Sequence, residues 1–178
     1  MPAGLVAGEG LEEQPWTLPL RALREAAQQG DRDAQYRLGI ALSREYQDQG
    51  SMGAGTEAAR WLTEAATQGH GRAQLELGVM YEKGQGVIQD YSEACRWLQK
   101  AAEQGEPVAM YRLGQMAEIG RGVQKDAMEA YVWFNLAVAR GEAAVEPARD
   151  RARSLLSEEQ VAEAQKRSRL LDAQIPGL

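Results

Sequence analysis

The amino-acid sequence predicts an all-α superhelical solenoid, an array of about nine helices stacked as pairs. Three of the four tryptophans lie 36 residues apart, at Trp61, Trp97 and Trp133. A glycine follows each of these tryptophans by eight residues. A Leu-Gly pair recurs at spacings of 39 and then 36 residues, beginning at Leu38, Leu77 and Leu113. Several markers that share one period of this length are typical of stacked helical repeats.

Each repeat is predicted to contain two amphipathic helices, which we call helix A and helix B. In the middle repeat, helix A covers residues 73–83, where apolar side chains recur at the i, i+4 and i+7 spacing of one helix face. Helix B covers residues 92–104 and places Trp97 on its apolar face, where we expect it in the core. A G-x-G-V motif joins the two helices in the second and third repeats, at residues 84–87 and 120–123.

Glycines mark the end of each helix B, at Gly30, Gly69, Gly105 and Gly141. A glycine adopts the left-handed conformation of a helix C-terminus without the steric cost of a Cβ. A polar residue follows each glycine and is placed to cap the next helix A, at Asp31, His70, Glu106 and Glu142. We interpret His70, the only histidine, as a capping residue, with a catalytic role as the alternative.

A glycine also lies inside helix A, as at Gly78. Because glycine inside a helix costs about 1 kcal/mol relative to alanine, we expect a packing reason for it. The prediction is that a tryptophan, or the backbone of the neighbouring helix, lies directly against Gly78.

The repeats divide the chain into an irregular N-terminal segment, an array, a C-terminal cap and a tail. The array contains a lone first helix and three repeats, and the cap contains two helices, the last of which opens at an S-x-x-Q capping box at Ser157. The first repeat lacks G-x-G-V, so we expect a longer, mobile loop at residues 47–55. The predicted ranges are 1–17 for the N-terminal segment, 18–141 for the array with repeats at about 31–69, 70–105 and 106–141, 142–174 for the cap and 175–178 for the tail.

The motifs of the middle repeat resemble the Sel-like repeat, a branch of the tetratricopeptide-like helical repeats. Residues 73–90 read A-Q-x-x-L-G-x-M-Y-x-x-G-x-G-V-x-x-D, and residues 94–105 read A-x-x-W-x-x-x-A-A-x-x-G. The resemblance covers about residues 22–171 and implies a right-handed α-α superhelix. Bacterial members of this family are often secretory, so the resemblance also favours a periplasmic location.

Composition excludes several classes of function. The formal net charge is -6, whereas nucleic-acid binders usually carry a basic excess, so we expect no nucleic acid as partner. A single cysteine and a single histidine exclude an internal disulfide framework and a Cys/His zinc site, and no cofactor is predicted. Cys95 is interpreted as a packed thiol rather than a reactive one. The G-x-G-V loops lack the preceding strand that a dinucleotide-binding loop needs.

The sequence also bears on location. The most apolar run, residues 131–139, is much shorter than the ~20 residues that cross a bilayer, so we expect a soluble protein without membrane insertion. Residues 1–10 lack the basic and long apolar regions of a signal peptide, although the small residues from Pro2 to Gly8 resemble the end of one. A periplasmic location is slightly favoured if Met1 is not the native start, and a cytoplasmic one follows otherwise.

No active-site constellation emerges from the sequence, so we predict a non-catalytic protein-binding module, an adaptor or scaffold, rather than an enzyme. The expected binding surface is the concave face lined by helices A. Its candidate residues differ between repeats, follow i, i+3, i+7 spacing and mix apolar with charged side chains, which suits a protein or peptide partner. They are Arg37, Ile40, Arg44, Glu76, Val79, Lys83, Arg112, Gln115 and Ile119. An immunity-type inhibitor of a bacterial toxin or effector enzyme is one alternative, and a hydrolase that uses carboxylates alone is another.

Overall fold

The computed structural model describes residues 17–175, in which nine α-helices and one 3₁₀ turn follow one another without any strand. The all-α solenoid of about nine helices is confirmed for this part of the chain. Predictions for residues 1–16 and 176–178, including most of the irregular N-terminal segment and of the tail, lie outside the described residues. The helices are α1 Thr17–Gln28, α2 Arg32–Gln49, α3 Met52–Thr67, α4 Gly71–Lys83, α5 Tyr91–Glu103, α6 Pro107–Ile119, α7 Ala127–Ala139, α8 Glu146–Arg153 and α9 Glu158–Asp172, and the 3₁₀ turn is Ala143–Val145.

The helices pack as successive pairs. Helices α2 and α3, α4 and α5, and α6 and α7 form the three pairs of a helix A and a helix B, while α1 packs on α2 and both cap helices pack on α7. Buried apolar side chains form two clusters, one from α1 to α4 and the other chiefly from α5 to α9, and Tyr81 contacts both. The core therefore has no single centre, as expected when each unit contacts only its neighbours.

Polar side chains begin the helices A at the positions that the repeat pattern predicts. The carboxylate of Asp31 accepts two backbone N–H groups of the first turn of α2. His70 Nδ1 accepts the N–H of Ala73 at 3.1 Å, which confirms its capping role. The predicted caps at Glu106 and Glu142 are wrong in detail, because both residues occupy N-cap positions, of α6 and of the 3₁₀ turn, but neither makes a side-chain cap bond. Pro107 begins α6 without an N–H to satisfy.

The predicted mobile loop at residues 47–55 is wrong. Residues 47–49 complete α2, and Met52 already begins α3, so only Gly50 and Ser51 connect the two helices. Gly50 ends α2 in the left-handed conformation with φ 67°, and the Ser51 hydroxyl accepts the N–H of Ala54 to start α3. Most residues of the predicted loop therefore belong to α2 and α3, which contain 18 and 16 residues. Each helix of the next two pairs contains 13.

The glycine inside helix A packs on a different residue from the predicted tryptophan. An ideal Cβ on Gly78 would lie 2.8 Å from Leu98 Cγ, and one on Gly114 would lie 2.5 Å from the Phe134 ring. Leu98 and Phe134 each follow the tryptophan of their repeat by one residue. The expected helix backbone does lie nearby at Gly78, where the carbonyl oxygen of Ala94 is 3.3 Å from the ideal Cβ.

The three periodic tryptophans are not equally buried, which corrects the expectation that Trp97 belongs to the core. Trp61 is 3% exposed, whereas Trp97 and Trp133 are half-buried at the edge of the core. The Lys100 ammonium lies over the Trp97 ring, 4.4 Å from its centroid. Trp133 lines a mainly apolar cavity of about 400 Å³ that α5, α6, α7 and α9 enclose. Sequence reasoning did not find this cavity because the cap helix that helps to close it lies outside the repeat.

Candidate protein-binding surface

The exposed sides of α2, α4 and α6 form one continuous surface, which we call the A face. A cavity of about 220 Å³ on this surface is lined by residues from all three helices, including Ser43, Val79 and Val108. Because helices A of three successive repeats share the cavity, the A face crosses the boundaries between repeats.

The structure distributes the nine predicted contact residues along the A face. Four are exposed, namely Arg37, Arg44, Lys83 and Ile119, and five are half-buried, namely Ile40, Glu76, Val79, Arg112 and Gln115. The 220 Å³ cavity brings four of them together, Glu76, Val79, Lys83 and Arg112. Arg37 lines a second cavity, and the remaining four line neither. Their role in binding stays a prediction.

The second cavity measures about 470 Å³ and lies at the N-terminal ends of α2 and α4. Arg37 lines it together with Tyr36, whose ring stacks on the His70 imidazole with centroids 4.4 Å apart. Sequence reasoning missed most of this lining because the i, i+3, i+7 stripe starts after the first turn of each helix A. The other charged side chains of the lining are Arg32, Asp33, Arg72 and Glu106.

The charged side chains that line the 220 Å³ cavity are Glu76, Lys83 and Arg112. Burial raises the pKa of the Glu76 carboxyl, and the positive charges of Arg112 and Lys83 oppose that rise. Arg112 Nη1 donates to Glu82 Oε2 at 2.8 Å, with the two side chains 25% and 24% exposed. Arg112 Nε is buried without an acceptor among residues 17–175. Arg112 is therefore part of the packing of the surface as well as a candidate contact, and its substitution would disturb both.

Buried glutamines connect neighbouring repeats and fix the positions of helices A. Gln74 Nε2 donates to the carbonyl oxygen of Ala66 in α3 at 3.1 Å, and Gln74 Oε1 accepts from Gln104 Nε2 at 2.7 Å. Gln35 makes the same two bonds one repeat earlier, with Ala27 and Gln68. Each buried glutamine thus links the helix B that precedes it to the helix B of its own repeat, and its polar groups are satisfied in the core.

The third repeat ends this series of glutamine bonds. Met110 stands where the earlier repeats have a buried glutamine, and Arg140 takes the position of Gln104 at the end of helix B. Arg140 Nε donates to Asp172 Oδ1 at 2.8 Å, and Arg140 Nη2 donates to the carbonyl oxygens of Asp172 and Ile175 at 3.1 and 3.3 Å. The Arg140 side chain is only 9% exposed, and its hydrogen bonds connect the end of α7 to the end of α9.

The G-x-G-V loops make structural contacts between repeats. Gly84 and Gly120 end α4 and α6 in the left-handed conformation. Gly86 approaches α3 so closely that an ideal Cβ would lie less than 3.0 Å from the carbonyl oxygen of Gly55, and Gly122 approaches Tyr91 in α5 in the same way. Packing against the preceding helix B therefore accounts for the second glycine of each motif without a bound phosphate.

The remaining reactive side chains do not form a competing site. Cys95 is buried with Sγ 3.6 Å from Met116 Sδ, and burial, followed by the charge of Glu82, raises the pKa of its thiol, as expected for a packed residue. Within residues 17–175, no three His, Cys, Asp or Glu side chains are grouped so as to hold a metal ion. In the same part of the chain, no helix combines the length and the apolar character needed to cross a membrane.

The stacked helix pairs and their inter-repeat glycine contacts define a tetratricopeptide-like helical-repeat protein. The Sel1 repeat family model matches residues 32–70, 71–106 and 107–142, which together make up more than half of the sequence. The chain therefore belongs to the Sel1 repeat family, and the resemblance found in the sequence is confirmed. Proteins built from these repeats are generally non-catalytic protein-interaction modules.

Solved structures show the same fold. The Sel1 repeat protein from Oxalobacter formigenes is 39% identical, over 74% of this chain and 97% of that one, with a TM-score of 0.61. The protein c5321, a protective antigen present in uropathogenic Escherichia coli strains, is 26% identical, with a TM-score of 0.67 over 92% of this chain and 41% of that one. Helicobacter pylori cysteine rich protein B shares the fold at 20% identity, with a TM-score of 0.57 over 79% of this chain and 99% of that one. A comparison with curated protein sequences gives no match.

Proposed function

We propose that this protein is a non-catalytic adaptor that captures a segment of a partner protein on the A face. The observation that carries the proposal is the continuity of this face, because one cavity is lined by helices A of three successive repeats. A surface that crosses repeats suits an extended polypeptide, which contacts one repeat after another along its length.

The exposed side chains of the A face support a protein partner. Val108 is 39% exposed and Ile119 is 52% exposed, and both lie on α6, beside the exposed charged residues of α2 and α4. Protein interfaces combine apolar contact area with charged and polar groups in this way. A ligand recognised through charge alone would leave these apolar side chains unused.

The two alternatives from the sequence differ in how they use the A face. An immunity-type inhibitor is a special case of the proposal, in which the captured segment belongs to a toxic enzyme. A hydrolase that uses carboxylates alone needs two carboxylates that flank its substrate. Among the described residues that line the 220 Å³ cavity, Glu76 is the only carboxylate, and its charged neighbours there are Lys83 and Arg112. The 220 Å³ cavity therefore lacks the second carboxylate that this chemistry needs.

Site-specific photo-cross-linking tests the proposal. A benzophenone amino acid is placed at Arg44 or Ile119 on the A face, or at Arg96 on α5 or Ala162 on α9 as controls; all four positions are exposed. After irradiation in extract of the native organism, we expect the two A-face positions to cross-link the same protein and the controls not to do so. Equal cross-linking from all four positions, or cross-linking from the controls alone, would contradict the proposal.

A further inference from the structure

The two cavities of the A face carry a charge opposite in sign to that of the whole chain. Its two cavities are lined by five Arg or Lys and three Asp or Glu side chains, although the sequence as a whole contains 20 and 26 of these residues. The cations are Arg32, Arg37, Arg72, Lys83 and Arg112, and the acids are Asp33, Glu76 and Glu106. A cationic groove on an acidic protein attracts a negatively charged partner to that groove.

Three of the five cations are available to a partner. The exposed side chains of Arg37, Arg72 and Lys83 make no ion pair or hydrogen bond with any other residue between 17 and 175. Arg112, by contrast, pairs with Glu82, and Arg32 lies 3.7 Å from Asp33. An unpaired guanidinium offers a planar set of donors that matches the two oxygens of a carboxylate.

Apolar side chains lie among these cations. Val79 lies between Arg72 and Lys83 along α4, which are separated by about 16 Å at the rise of an α-helix. Val79 and Val108 line the cavity that also contains Glu76. A partner carboxylate placed over Glu76 would be repelled, so an uncharged side chain fits this part of the groove best.

Building on the proposed function, we propose that the A face recognises an acidic, extended segment of its partner. Carboxylates of the segment form ion pairs with Arg37, Arg72 and Lys83. An apolar side chain between these carboxylates enters the 220 Å³ cavity at Val79. Charge complementarity of this kind accelerates association and weakens as salt screens the charges. A nucleic acid would engage the cations but supply no aliphatic side chain for the cavity.

Fluorescence anisotropy with the full chain and labelled synthetic probes tests this inference. The probes are an acidic peptide of about 12 residues that alternates Glu-Asp with Leu, which spans ~40 Å when extended, its neutral Gln-Asn counterpart and a single-stranded oligothymidylate. The Arg37→Gln/Arg72→Gln variant is compared with Arg153→Gln/Arg169→Gln, which removes two exposed arginines of the cap helices. Circular dichroism and thermal melting check that both variants keep the fold of the wild type.

We expect the acidic peptide to bind more tightly than the other two probes and to lose affinity as salt is raised. The Arg37→Gln/Arg72→Gln variant should weaken its binding roughly tenfold, a loss of about 1.4 kcal/mol, while the cap variant changes it little. The inference is overturned if the neutral peptide or the oligonucleotide binds equally well, if the A-face variant keeps full affinity, or if the acidic peptide does not bind. Cross-linking from Arg44 and Ile119 tests the proposed function independently of this inference, because it detects a captured segment whatever the charge of that segment.

Discussion

Gly86 packs directly on the backbone of Gly55, so that the loop between α4 and α5 touches the start of α3 with no side chain between them. Gly86 also has a φ of +70°, a conformation that a residue with a Cβ adopts only at a cost. The same residue thus meets two requirements, a left-handed backbone and the close approach of two repeats. Gly30 has a positive φ as well, but nothing lies within 4 Å of its ideal Cβ, so it meets only the first.

Gly86→Ala is therefore expected to lower the free energy of unfolding more than Gly30→Ala does. The left-handed conformation alone costs a residue with a Cβ about 1–2 kcal/mol, which is the loss expected at Gly30. At Gly86 the new methyl group also collides with the carbonyl of Gly55, and the two repeats must separate to admit it. Urea unfolding of both variants measures the difference, and equal losses would show that the contact does not constrain the array.

The burial of the tryptophans leads to a second prediction. Trp61→Ala removes a side chain that is 3% exposed and should cost about 3–5 kcal/mol, as large-to-small changes in a core do. Trp97→Ala should cost less, about 1–3 kcal/mol, because part of the half-buried indole is already in contact with water. The two losses are compared by urea unfolding of the single variants. A loss at Trp97 as large as that at Trp61 would contradict this assignment of burial.

The sequence predicts the helix pairs, the caps at Asp31 and His70 and the final capping box because these features depend on residues close together in the chain. His70 caps α4 through Ala73, three residues away, and Ser157 and Gln160 form both bonds of a capping box. The error at residues 47–55 is also local in origin. The absence of G-x-G-V suggests a loop, whereas Gly50 and Ser51 supply a complete helix end and helix start within two residues.

Features that depend on neighbouring repeats were not predicted from the sequence. Trp61 and Trp97 occupy the same position of the period, and only the helices packed around each of them decide how much of the indole is covered. Gln74 is part of the family motif, yet its partners Ala66 and Gln104 lie in two different helices B. The first turns of helices A were likewise not predicted as part of the candidate site. They line the 470 Å³ cavity, which is formed by the end of one repeat and the start of the next.

Arg140 provides a third prediction, on the attachment of the cap. Arg140→Gln removes charge-assisted hydrogen bonds to Asp172 and Ile175 and should lower the free energy of unfolding by about 1–3 kcal/mol. Arg167→Gln is the matched control, because Arg167 also joins α9 to α7, through an ion pair with Glu129 in which the two side chains are 45% and 26% exposed. Ion pairs of this exposure contribute about 0–1 kcal/mol.

Hydrogen exchange of the backbone amides distinguishes these two cap variants. We expect α9 to lose protection in Arg140→Gln while the amides of α2 to α5 keep theirs, because the cap opens before the array does. Arg167→Gln should leave protection in α9 close to that of the wild type. Equal loss of amide protection in α9 of the two variants would contradict the role of Arg140 in attaching the cap.

His70 connects the stability of the first two repeats to pH. Its Nδ1 accepts the N–H of Ala73, so the imidazole is neutral in the capped state, and its Nε2 lies 3.6 Å from Asp33 Oδ1. Burial lowers the pKa of His70 below its ordinary value of about 6.5, and Arg32 and Arg72 act in the same direction, while Asp33 opposes them. Protonation at Nδ1 would remove the acceptor from the start of α4.

The fourth prediction is therefore that wild-type protein loses stability relative to His70→Asn as the pH falls from about 8 to 5, the range in which histidine titrates. The unfolded chain binds the proton at a higher pH than the folded chain does, so the contribution of neutral His70 to stability is complete above about pH 6.5 and is lost as pH falls through the lowered pKa.

The asparagine of the His70→Asn variant keeps a capping oxygen for the Ala73 N–H but does not titrate. The other titratable groups, including Glu76 with its raised pKa, are common to both proteins and cancel in the difference between their free energies of unfolding. A difference that stays constant across the range would mean that His70 has the same pKa in the folded and unfolded chain.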